Sequence, residues 1–212
     1  MNATGVVIGS LQALRRYPTK SLRGEALECA EIGETGIPGD RATALFAREG
    51  AREGKTYRGK ENERLHLFDD PSAAVAFARE RGTGVDVRRD EHFFDDAPIS
   101  LIVDAWLCDL RVYLGYAVEW ERFRPNLFVR SQGRAVPLER ALVDCELALG
   151  PVRLRVRAGI RRCVTITYHP DGEPSDPRIL EYVAQRRENL MGVYCDVVTP
   201  GAVCRGDRLL LL

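Results

Sequence analysis

Lysine is scarce in this sequence. Lys20, Lys55 and Lys60 are the only three among 31 lysines and arginines. Net charge is missing altogether, because 31 acidic side chains balance the bases. Without a basic excess or a basic tract, the chain has no footprint of a nucleic-acid or membrane-surface binder. No stretch approaches the roughly 20 apolar residues of a spanning helix. The opening Met1-Asn2-Ala3-Thr4-Gly5 lacks a charged segment followed by an apolar one, as a secretion signal requires. These absences predict a cytoplasmic protein that uses neither nucleic acid nor membrane as a partner.

Paired-cysteine motifs are absent too. The six cysteines, Cys29, Cys108, Cys145, Cys163, Cys195 and Cys204, form no CxxC, which gives no support to a zinc ribbon or a thioredoxin-type site. A chain of 212 residues without a secretion signal argues against disulfides, so most of these are expected to be core thiols. His66, His92 and His169 have no metal-ligand spacing. Gly33, Gly36 and Gly39 miss the GxGxxG spacing of a dinucleotide fold.

What is present is many short β-prone runs. Residues 6–14, 26–32, 42–47, 85–88, 126–129, 145–149, 152–156, 193–198 and 209–212 read as strands. Residues 71–80 start with a proline and continue in alanines, which predicts a helix. Residues 100–114 and 176–187 have the spacing of half-buried helices. Arg205-Gly206-Asp207 reads as the turn of a final hairpin. Many strands, few helices and no βαβ alternation predict an α+β fold with a barrel-like sheet. A soft boundary falls in the charged stretch 88–96, dividing a β-rich region 1–95 from a core 96–212, the two packed as one unit.

Polar clusters punctuate this pattern. Tyr17-Pro18-Thr19-Lys20-Ser21 gathers an ammonium, a hydroxyl and turn amides, all donors to an anion. Asp40-Arg41 either aims a guanidinium at a ligand or caps a turn. Thr56-Tyr57-Arg58-Gly59-Lys60 is either a solvated loop or a second anion contact. Arg124-Pro125-Asn126 places a planar fork and an amide at the start of an apolar strand, donors and acceptors that suit a phosphate or a pterin-like heterocycle. Cys163 follows Arg161 and Arg162, and nearby cations favour the thiolate that acts as ligand or nucleophile. A free cysteine is more often a small buried hydrophobe. The company of the other clusters points to a working sulfur, either a soft metal ligand or a sulfur carrier.

In order, YPTKS, GxxGDR, YRGK, APISL, FRPN, RRCVT and a terminal PG…GD resemble the MOSC domain family, the molybdenum cofactor sulfurase C-terminal domain, over nearly the whole chain. The resemblance implies a β-barrel-rich fold with a few short helices. It is closest in pattern to the amidoxime-reducing members, which bind molybdenum cofactor (molybdopterin). It places Cys163 as the molybdenum ligand and catalytic residue, and Lys20, Ser21, Arg41, Arg124, Asn126 and Arg162 around the pterin and its phosphate. It implies an oxidoreductase that reduces N- or S-oxygenated small molecules. No iron–sulfur cysteine set is present, so a separate electron-donor protein is implied. The alternatives are a sulfur carrier holding a persulfide on Cys163, and a module that binds the cofactor without turnover.

Overall fold

The computed structural model describes residues 5–90, 92–133 and 135–212. In chain order the elements are β1 (Val6–Arg16), β2 (Glu25–Leu27), β3 (Cys29–Ile32), β4 (Thr43–Ala47), α1 (Pro71–Glu80), β5 (Val85–Arg89), β6 (Ile99–Val103), α2 (Cys108–Leu114), β7 (Leu127–Ser131), β8 (Glu146–Leu149), β9 (Val152–Arg161), α3 (Arg178–Arg186), β10 (Leu190–Thr199), β11 (Gly201–Cys204) and β12 (Arg208–Leu211). Seven strands close into a barrel in the order β12-β8-β9-β10-β6-β7-β1, with β1 paired back onto β12. Closure removes the unpaired edges that an open sheet would present. The barrel-rich α+β expectation is met, with three short helices among the described residues.

Alternation along the strands fills the barrel. Val152, Leu154 and Val156 of β9 are buried while the alternating Arg155 and Arg157 face out. With Leu11, Leu101, Leu127, Val193 and Leu209 they form one continuous core. β6 and β7 are parallel neighbours, which demands a crossover rather than a hairpin. A 3₁₀ turn, α2 and a second 3₁₀ turn at Trp120–Phe123 supply it. A smaller apolar cluster of Leu22, Leu45, Tyr57, Leu65, Ala74, Ala78 and Val85 lies under α1 and the β4–β5 ladder. α1 begins where the sequence predicts: the Asp70 side chain accepts from the Ser72 amide at 3.1 Å and Pro71 follows at the first helical position.

Four expectations are corrected. The strand read over 26–32 is two strands, β2 on β1 and β3 on β11, broken at Glu28. The helix read over 100–114 is a strand for its first part. Ile99-Ser100-Leu101-Ile102-Val103 is buried on both faces, and a continuous β-branched run of that kind carries no periodicity to separate strand from helix. Only its end, α2, is helical. The final hairpin does not form: β11 pairs with β3, whereas β12 pairs with β8 and β1. Asp207 instead pins the turn by accepting from the Cys204 amide at 2.8 Å.

The last correction concerns cysteine. Cys29 and Cys204 form a disulfide across 175 residues of sequence. The β3–β11 register sets them directly opposite each other, a neighbour relation that sequence spacing does not reveal. Cys108, Cys145, Cys163 and Cys195 are free, and of these only Cys195 is a buried core thiol. No helix among the described residues is long and apolar enough to cross a membrane.

Candidate functional site

A cleft of about 940 Å³ opens between the barrel and the smaller apolar cluster. Although the chain is neutral, ten arginines and lysines line this cleft against five aspartates and glutamates. The cationic side chains of the sequence clusters are therefore concentrated on one surface. Lys20, Ser21, Arg41, Arg124, Arg162 and Cys163 all line it.

The floor is built from the segment that follows β1. Residues 17–20 run beside 41–43, joined by Arg41 N to Tyr17 O at 2.7 Å and Lys20 N to Thr43 O at 2.8 Å. Asp40 is 6% exposed and serves two donors. One carboxylate oxygen accepts from the Tyr17 amide at 2.7 Å, and the other accepts from the Arg41 guanidinium. The turn reading of Asp40-Arg41 is thus realised, and the Arg41 side chain lines the cleft. The buried Tyr17 ring lies beneath two cations, with the guanidinium carbons of Arg124 and Arg41 at 4.4 Å and 4.8 Å from its centroid. Burial raises the Tyr17 phenol above its usual range, so it stays neutral there.

Asn126 does not line the cleft. It lies 1% exposed below Arg41, with all its side-chain atoms engaged. Its oxygen accepts from Ser100 N at 3.1 Å, Ser100 Oγ at 2.8 Å and Arg41 at 3.3 Å, and its nitrogen donates to Arg15 O at 3.2 Å. It positions Arg41 rather than reaching into the cleft itself.

Two guanidiniums stand out because they have no carboxylate partner. Arg124 donates to Leu22 O at 2.6 Å. Arg162 donates from Nε to Met191 O at 2.7 Å and from one terminal nitrogen to Phe123 O at 2.8 Å. Its other terminal nitrogen is buried with no hydrogen-bond partner. Both side chains keep some surface toward the cleft, yet surrounding protein desolvates them enough to lower each to about 10. They remain cationic at neutral pH. An enclosed charge is costly unless something pairs it, and neither guanidinium has a carboxylate within salt-bridge distance among the described residues.

Strain marks the same residues. Ser21, Arg41 and Arg124 adopt φ of 71°, 50° and 52°, the left-handed region that side chains other than glycine rarely enter. Cys163 sits just past β9, its Sγ 3.3 Å from Thr165 Oγ1. The Arg58–Lys60 loop lines the same cleft, and a Cβ at Gly59 would stand 3.7 Å from Thr165 and 3.9 Å from Ser21. His66, which has no metal-ligand spacing in the sequence, lines the cleft and meets His169 O at 2.8 Å. Sequence reading missed Tyr194, Asp95 and Arg15, which also line it. None of the three stands in a motif, and only the fold gathers them.

The MOSC domain family model matches residues 88–210, more than half of the chain, so the chain belongs to the MOSC domain family. The barrel is completed by β1, which lies before that segment. Among solved structures, the YuaD protein from Bacillus subtilis aligns with a TM-score of 0.57 at 19% identity, covering 95% of this chain and 93% of its own. YiiM from Escherichia coli aligns at 0.45 and 15% identity, covering 94% and 70%. At such identities the likeness to YuaD speaks for the fold alone. The curated proteins contain no significant match.

The family's association with molybdenum cofactor is testable against these side chains. The cofactor's phosphate needs cations and its metal needs a soft ligand. The partnerless nitrogen of Arg162, the unpaired Arg124 and the free Cys163 thiol fit those needs. Among the described residues no three His, Cys, Asp or Glu side chains gather as a metal site.

Proposed function

We propose that this MOSC protein binds molybdenum cofactor in the cationic cleft and works as an oxidoreductase on N- or S-oxygenated small molecules. The observation that carries the reading is the pair of guanidiniums without acid partners, Arg124 and Arg162, next to the free thiol of Cys163. Lys20, Ser21, Arg41 and Arg124 would hold the phosphate, and Arg162 would set its positive charge beside the pterin. Asn126 fixes Arg41 from beneath. Cys163 is the protein's ligand to the metal, and its hydrogen bond with Thr165 orients the sulfur. When bound, the cofactor supplies a metal centre that abstracts an oxygen atom. Removing that oxygen as water consumes two electrons and two protons. The sequence holds no iron–sulfur cysteine set, and in this reading a separate donor protein delivers the electrons.

The test uses protein from a host that makes the cofactor, a viologen as reductant and an N-hydroxylated amidine as substrate. Wild type is expected to turn over, and Cys163→Ala is expected to lose the activity while retaining the pterin, read as fluorescence after oxidative release. Bound pterin with no turnover in either protein would favour a non-catalytic cofactor module. No pterin, with a persulfide found on Cys163, would favour sulfur transfer.

A further inference from the structure

Asp95 carries a feature that the cofactor reading leaves unused. Its Oδ1 lies 2.6 Å from the Lys20 ammonium, although the Asp95 side chain is 69% exposed and that of Lys20 only 18%. Partial burial works against its charge. Even so, Lys20 foremost, then Arg41 and Arg124, hold the carboxyl below the usual carboxylate range. These are three of the side chains assigned above to the phosphate. The chain's own carboxylate thus occupies a cationic cluster shaped for an anion.

The backbone around Asp95 is held on both sides. Phe93 N donates to Arg41 O at 2.9 Å, and the Phe93 ring meets Phe46 edge-on at 5.7 Å. Asp96 O accepts from the Arg157 guanidinium, and Ala97 is buried. Between these anchors, rotation about the two side-chain bonds of exposed Asp95 can take its carboxylate off Lys20 without displacing the anchored backbone.

We propose that Asp95 is a built-in counter-ion of the Lys20–Arg41–Arg124 anion site, displaced when the phosphate of a ligand arrives; the inference rests on reading that cluster as a phosphate site. Anion binding is then an exchange, one carboxylate out and one phosphate in. Such a site discriminates by charge. A monoanionic carboxylate gains nothing over Asp95, while a dianionic phosphate monoester makes more hydrogen bonds to the same cations and displaces it. The empty cluster also avoids standing as an uncompensated group of positive charges.

The experiment is calorimetric titration of inorganic phosphate into the full-length chain, purified from a host that cannot make pterin cofactor. Wild type is compared with Asp95→Asn and Asp96→Asn. Asp96 also lines the cleft but has no ion pair with Lys20, so its variant controls for the change in net charge. Asp95→Asn is expected to bind phosphate about fivefold more tightly, the upper range for a partly exposed ion pair. Asp96→Asn is expected to stay within about twofold of wild type, the residue of a screened long-range charge. Equal tightening in both variants, no tightening in Asp95→Asn, or no phosphate binding by any of the three proteins would overturn the exchange. Failure here is separable from failure of the cofactor reading. A chain that acquires molybdenum in a competent host but binds phosphate regardless of Asp95 loses only the exchange. A chain that never acquires molybdenum yet shows the Asp95 effect loses only the cofactor.

Discussion

Glu139→Ala is expected to lower the stability of the fold by about 3–5 kcal/mol, the typical cost of breaking a buried ion pair from one side. Glu139 is 2% exposed. Both of its oxygens accept from one Arg187 nitrogen, at 2.9 Å and 2.7 Å, and one also accepts from the Gly192 amide at 3.0 Å. Truncation strands the Arg187 charge, whose side chain is 9% exposed, and frees the Gly192 backbone. The damage reaches the cleft, because Gly192 has φ of +91° and a Cβ there would stand 3.0 Å from the Arg162 guanidinium. Met191, one residue earlier, holds Arg162 through its carbonyl. Urea unfolding followed by circular dichroism measures the effect as a lower midpoint at an unchanged slope. A loss below about 1 kcal/mol, the range of an exposed ion pair, would show that the pair is not the buried lock described.

Arg162→Lys is expected to weaken cofactor retention about 10- to 100-fold while leaving the formal charge in place. The guanidinium spans two carbonyls, Met191 O and Phe123 O, and its third nitrogen packs beside Gly192. A lysine is a single point of charge on a flexible stem and cannot span both carbonyls. The lost hydrogen bond to a charged group is worth about 1.5–3 kcal/mol, and about 1.4 kcal/mol is tenfold in affinity. The readout is pterin per chain after identical purification, with circular dichroism to show that the variant is folded. Wild-type retention by the lysine variant would reduce Arg162 to a source of general positive charge.

Much of this architecture is legible in the sequence, for reasons that particular residues make plain. The β9 alternation of valines and leucines with arginines has period two and permits one reading. The start of α1 is written in Asp70-Pro71. β6 is not legible in the same way, because a strand buried on both faces loses its alternation. The disulfide and the unmade final hairpin escape for a related reason. Both depend on which strand lies beside β11, and that is β3, paired with it in a two-stranded sheet outside the barrel and remote from it in sequence.

The site divides similarly. Lys20, Arg41, Arg124, Arg162 and Cys163 stand in short motifs of concentrated polar chemistry, and the fold brings them to one cleft. Asn126 shares such a motif but lies beneath the floor, a difference between touching and supporting that only coordinates reveal. Asp95 stood in a charged stretch that reads as a boundary. Its meaning comes from the Lys20 ammonium, which is distant in sequence and adjacent in space.

The central claim is that this cleft holds molybdenum cofactor through Cys163. Elemental mass spectrometry of molybdenum per chain tests it most directly, on wild type and Cys163→Ala from a host that makes the cofactor. The account predicts near-stoichiometric metal in wild type and a marked loss in the variant. Wild-type protein free of molybdenum, or a variant that carries as much as wild type, would contradict it.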